Sequence, residues 1–111
     1  MENKREKGKK LEYIVADYLS LIDKYARPTK ASGASTESGD VINRHFLIEC
    51  KNWNKKNIII KSEIWNKLLS ELPINTTRIP ILIQKNNQDN IMVSLNIKDF
   101  FEIVYKAYKG E

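Results

Sequence analysis

The stretch Phe46-Leu47-Ile48-Glu49-Cys50-Lys51 constrains the fold more than any other part of the chain. An apolar run that ends in a carboxylate and an ammonium reads as a strand whose alternate side chains go to opposite faces. Phe46, Ile48 and Cys50 then form one core-facing set, and Glu49 and Lys51 share the other face. Charges at the end of a buried strand have to be solvated, paired or bound to something. Asp40 opens a preceding short strand, Val41-Ile42, and a tight turn at Asn43-Arg44 predicts a hairpin that lays Asp40 beside Glu49.

Two readings of this cluster stand side by side. In one, Asp40 is a turn residue after Gly39, and Glu49 with Lys51 is a surface ion pair worth under ~1 kcal/mol. In the other, two carboxylates held close enough to repel each other are reconciled by a divalent cation. Carboxylate oxygens together with retained waters are what Mg²⁺ prefers. Such an ion acidifies a bound water and offsets the charge that develops on a phosphodiester under attack. Lys51, one strand period from Glu49, would orient the attacking water or stabilise the crowded phosphorus.

The rest of the chain supplies a frame for that strand. Leu11, Ile14, Val15, Tyr18, Leu19 and Ile22 recur at helical spacing and form one apolar stripe. "RPTKASGASTESGD" is rich in Pro, Gly, Ser and Thr and reads as a loop following a short strand near Tyr25. After the loop "NWNKKN", Ser62 is placed to cap a helix carrying Ile64, Trp65, Leu68, Leu69 and Leu72, which ends before Pro73. "IPILIQ" and "NIMVSL" read as strands. A last helix shows Ile97, Phe100, Phe101, Val104 and Tyr108 on one face, with Asn96 as cap and Gly110 as stop. This order predicts a mixed α/β domain.

The 111 residues suffice for one domain with a real core, here expected to span 1–111. No apolar run approaches the ~20 residues of a membrane span. The basic start lacks an apolar signal-peptide core, and the single cysteine, Cys50, suits a reducing compartment, so a cytoplasmic location is expected. Abundant Ile, Asn and Lys and small size would suit a phage or mobile-element protein. The net charge of +5 is clustered, in "NKREKGKK" and again from Arg44 through Lys51, Lys55, Lys56 and Lys61. Clustered cations suit a polyanion, because neutralising phosphates releases condensed counterions; solvated lysine faces are also common.

Taken together, "GDVINRHFLIECK", "REKGKKLE" and Ala31-Ser32-Gly33-Ala34 resemble motifs of the PD-(D/E)xK nuclease superfamily. The likeness is greatest to archaeal-type Holliday junction resolvases and runs from about Arg5 to Gln84. It implies a restriction-endonuclease-like α/β core: a mixed central sheet flanked by helices in the order αβββαβ, with an extra C-terminal strand and helix. It implies Asp40 and Glu49 as metal ligands, joined by the Cys50 backbone carbonyl, with Glu12 supporting the metal or its waters. Lys51 becomes the catalytic lysine and Ser32 a loop serine near the scissile phosphate. Arg5, Lys7 and Gly8, with Lys9, Lys10, Lys30, Lys55, Lys56 and Lys61, would contact DNA. At 100° per residue, Arg5, Gly8 and Glu12 fall within one sector of ~60° if the helix begins that early.

The same resemblance implies Mg²⁺ as cofactor, with Mn²⁺ substituting, and a homodimer that cuts a four-way DNA junction. Two alternatives are a member of the superfamily acting on linear or nicked DNA, and a basic DNA-binding module of this fold without turnover. The sequence departs from the resolvase pattern at Gly39, where those proteins have proline, and at Tyr13, where they often have arginine.

Overall fold

A computed structural model of the chain describes residues 4–29 and 39–110, with side chains from Lys10 onward. Lys30 and Ser32 lie outside the described residues, as do the side chains of Arg5, Lys7 and Lys9. The elements are α1 (Lys4–Leu19), β1 (Arg27–Pro28), β2 (Val41–Ile42), β3 (Phe46–Asn52), α2 (Ser62–Ser70), β4 (Ile79–Lys85), β5 (Ile91–Ser94) and α3 (Ile97–Lys109). That order is the expected αβββαβ followed by a strand and a helix.

β3, β4 and β5 form a mixed sheet, β3 parallel to β4 and β4 antiparallel to β5. Parallel neighbours need a crossover rather than a tight turn, and α2 lies within it. Alternation along β3 and β4 divides the core. Ile48, Cys50, Ile81 and Ile83 meet Leu11, Val15, Ala16 and Leu19 of α1. Leu47 and Leu82 pack on the opposite face with Leu68 of α2. β3 therefore begins buried on both faces, as a strand in a parallel pair should. Pro80 has no N–H to donate, and it sits where β4 is bordered by β3 alone, because pairing with β5 starts at Leu82.

Three expectations need correction. β2 and β3 do not form a ladder; β2 pairs with β1 in a separate antiparallel ribbon. The reason is Asn43, buried in the turn. Its Nδ2 donates to the Val41 and Phe46 carbonyls, and its Oδ1 accepts the His45 and Phe46 amides. One side chain thus satisfies the backbone groups of the bend. Asn43→Ala is expected to cost about 2–3 kcal/mol, since it leaves buried backbone groups unpaired; a lower urea midpoint at unchanged slope is the measurement.

Ser62 is not a cap. The N-cap of α2 is Lys61, which makes no side-chain capping bond. The apolar face of α3 is formed as expected, and Asn96 caps it by accepting the Lys98 amide, yet α3 buries none of its residues. Gly110 closes the helix in an ordinary right-handed conformation rather than the left-handed one a glycine stop suggests.

Asp23 ties the end of α1 to the start of β3. Its buried carboxylate accepts the Tyr25 amide at 3.0 Å and the Arg44 amide at 2.9 Å, with Arg44 Nε at 3.8 Å. The Arg44 amide bond, followed by that from Tyr25, holds Asp23 below the usual carboxylate range. The stability it contributes is present above that usual range and is lost as pH falls through the lowered native value.

Candidate active site

The face of β3 that starts with Leu47 continues through Glu49 and Lys51, beyond the reach of the Leu68 contact. Both side chains are half-buried, and Lys51 Nζ lies 3.4 Å from Glu49 Oε1. Asp40 arrives from the segment just before β2. Although no ladder forms, its amide donates to the Ile48 carbonyl at 2.8 Å. Its Oδ2 accepts the Cys50 amide at 2.7 Å. The carboxylate is thus clamped along β3 opposite the residues that flank Glu49.

Gly39 makes this approach possible. Its φ of +83° is open to glycine, and a Cβ there would stand 2.9 Å from the Ile48 carbonyl oxygen. Proline, fixed near φ −65°, has no access to that conformation. The departure at this position therefore goes with a different route into the same aspartate.

Burial raises the pKa of both acids. For Asp40 the Cys50 amide and Lys51 partly counter that rise. For Glu49 repulsion from Asp40 adds to it, and Lys51 opposes it. The two carboxylates thus repel each other, although no β2–β3 ladder brings them together. Burial, followed by Asp40, Glu12 and Glu49, pushes the Cys50 thiol up, so it stays a neutral core group. Glu12 thus approaches the cluster from α1, on the Cys50 side of the sheet, and is half-buried there.

Two residues that the sequence did not single out also act here. Glu71 at the end of α2 raises both acids, and Lys67, one turn earlier, lowers Asp40. Gln84 is a third, paired in register with Lys51 and 1% exposed. It accepts the Trp53 indole N–H at 2.8 Å, and the Trp53 amide donates to the Lys85 carbonyl. Trp53 is therefore an anchor for its loop, with Lys61 Nζ 5.1 Å and Lys55 Nζ 6.0 Å from the ring centroid.

The basic block from Arg44 to Lys61 divides. Arg44 and the exposed His45 precede β3 beside Asp23, whereas Lys51, Lys55, Lys56 and Lys61 lie at or beyond its far end. Asn86 pins their loop, donating to the Lys56 carbonyl at 2.8 Å, while the Asn87 amide donates to the Lys55 carbonyl. Lys10, Lys55, Lys56 and Lys61 are exposed.

The chemistry of the donor set suits a hard divalent cation. Two half-buried carboxylates whose ionised forms repel each other gain from a shared positive charge. Among the described residues no three His, Cys, Asp or Glu side chains gather into a metal-binding group, so backbone oxygen and water would complete the shell.

The model of a protein family described as "Phage putative PDDEXK endonuclease" matches residues 3–110. The chain belongs to this family. The endonuclease thus has a small α/β, restriction-endonuclease-like fold, and the superfamily to which it belongs generally uses divalent metals. No curated protein and no solved structure matches it. Among the described residues of this endonuclease, no helix is long and apolar enough to cross a membrane.

Proposed function

We propose that the chain is a Mg²⁺-dependent, structure-selective endodeoxyribonuclease that resolves four-way DNA junctions as a homodimer. The observation that carries the chemistry is the clamp of Asp40 along β3, which sets its charge against Glu49 beside the Lys51 ammonium. In this reading Asp40 Oδ1, Glu49 and the Cys50 carbonyl hold the cation. The bound ion would acidify a coordinated water and offset charge on the phosphate.

The chain's own groups do the positioning. The Cys50 amide occupies Asp40 Oδ2 and fixes the carboxylate before any ligand arrives. Lys51 lies against Glu49 and presents N–H donors to the attacking water or the phosphate oxygens during in-line displacement. Glu12 orders waters from the α1 side, and Ser32 reaches the phosphate that is cut. Arg5, Lys7, Lys9 and Lys10 of α1, with Lys30, Lys55, Lys56 and Lys61, neutralise backbone phosphates, and Gly8, with no side chain, lets a phosphate approach the helix backbone closely. Such contacts read the shape of a branched duplex without reading bases.

The test is cleavage of a synthetic four-way junction with and without Mg²⁺, against linear duplex of the same sequence. Paired nicks on the junction, at a rate at least about tenfold above duplex cutting, are expected. Equal rates would instead assign a superfamily member acting on linear or nicked DNA. Binding without cutting in either Mg²⁺ or Mn²⁺ would assign a non-catalytic module.

A further inference from the structure

The chain holds a helix without a groove and a groove without a helix. At 100° per residue, Ile97, Phe100, Phe101, Val104, Tyr105 and Tyr108 fill a sector of about 140° on α3. All six are exposed, and α3 has no buried residue at all. Across the sheet, α1 covers only part of its face. Between α1 and β5 runs an apolar groove of about 380 Å³, with walls of Ile14, Tyr18, Ile91 and Val93 and a floor that includes Ile81 and Ile83. Tyr18 is 73% exposed, although it lies in the apolar stripe of α1.

Six large apolar and aromatic side chains exposed along one helix face form the kind of contiguous patch that marks an interaction surface. α3 is also no appended tail, since the family match reaches residue 110. Its direction of departure is set. Leu95 packs on the α1-side core, and Asn96 immediately caps the helix, which leaves the body and touches it with no buried side chain.

We propose that α3 docks in the α1–β5 groove of a second copy, and that the second copy's α3 returns the contact. The two surfaces are then one isologous, self-complementary interface. Thirteen residues of α3 extend about 20 Å; β5, one wall of the groove, is four residues long, and α1, the other, runs sixteen residues, about 24 Å, so the helix can lie along α1. Charge agrees as well. Lys98 and Lys109 border the apolar sector of α3, and exposed Asp17 borders Ile14 and Tyr18 on the α1 wall. This contact deepens the two-copy reading above by naming its surface; association through another face would leave that reading standing and overturn this one.

Light scattering across roughly 1–100 µM protein should give a dimer, and the pair Phe100→Asp with Val104→Asp should weaken association at least about 100-fold. Helical content should stay close to the parent's, because neither side chain is buried within one chain, whereas the unfolding midpoint should rise with protein concentration for the parent and not for the variant. In a second arm, a tagged Val104→Cys copy is mixed with an untagged Tyr18→Cys copy under mild oxidation; native Cys50 is buried. A disulfide-linked heterodimer is expected. A chain carrying both new cysteines should likewise give a linked dimer. A monomer at every concentration, a dimer indifferent to the aspartates, absence of the heterodimer, or a disulfide closed within one chain would each overturn the proposal; the last would mean that α3 folds onto its own groove.

Discussion

Glu49→Gln is expected to lower Mg²⁺-dependent DNA cleavage on the order of 10³-fold, with junction affinity changed less than about threefold, since affinity for DNA comes largely from phosphate contacts. Single-turnover cleavage and a gel-shift titration in Ca²⁺ measure the two. The same variant should also unfold at a higher temperature than the parent when no metal is present, by roughly 4 °C.

That second effect follows from the raised pKa values of Asp40 and Glu49. Relative to the unfolded chain, their protonated forms favour the folded state. This advantage is complete below the ordinary carboxyl range and disappears as pH rises through the raised native values. Wherever the two acids of the parent are ionised, burial and mutual repulsion therefore work against both charges. The neutral amide of the variant removes one of them. Added Mg²⁺ should stabilise the parent and leave Glu49→Gln nearly unmoved. A variant that cuts normally, or that is destabilised without metal, would contradict this placement of the charges.

Gly39→Ala is the second large effect. It is expected to cost about 1–3 kcal/mol in stability, because alanine at positive φ is strained and its Cβ meets the Ile48 carbonyl at 2.9 Å. Activity should fall further than stability does. Relief of the collision moves the backbone that delivers Asp40, and misplacement by about 1 Å costs about 10²-fold in rate. Chemical denaturation and cleavage rates on the same preparation separate the two losses. Normal rate in a folded Gly39→Ala protein would mean that Asp40 does not need its bond to the Cys50 amide.

Much of this molecule could be read from periodicity. The alternation in Phe46–Lys51 located β3 and assigned Ile48 and Cys50 to one face and Glu49 with Lys51 to the other; Asp40, expected beside Glu49 through a hairpin, comes alongside β3 by two hydrogen bonds instead. Local patterns succeed there because strand geometry dictates side-chain direction. They fail where a distant partner decides. The turn at Asn43 is real, yet β2 finds its ladder with β1, whose two residues carry almost no strand signal. Glu71 and Lys67 reach the acids, and Gln84 comes to lie beside Lys51, only through the parallel crossover, and nothing in the residues around them announces that neighbourhood. For α3 the spacing of Phe100, Val104 and Tyr108 reveals an apolar face but is silent on what covers it.

Thr29 bonds across to the far side of residues 30–38. Its amide donates to the Asp40 carbonyl at 3.0 Å, and its hydroxyl to the Gly39 carbonyl at 2.7 Å. The intervening stretch is thereby cinched at its neck, whatever it contains. Doubling the length of such a stretch adds only about 0.6 kcal/mol of closure entropy, and the knot at Thr29 keeps that burden away from Asp40. A change in the number of residues between 30 and 38 should therefore leave the acid beside them moored.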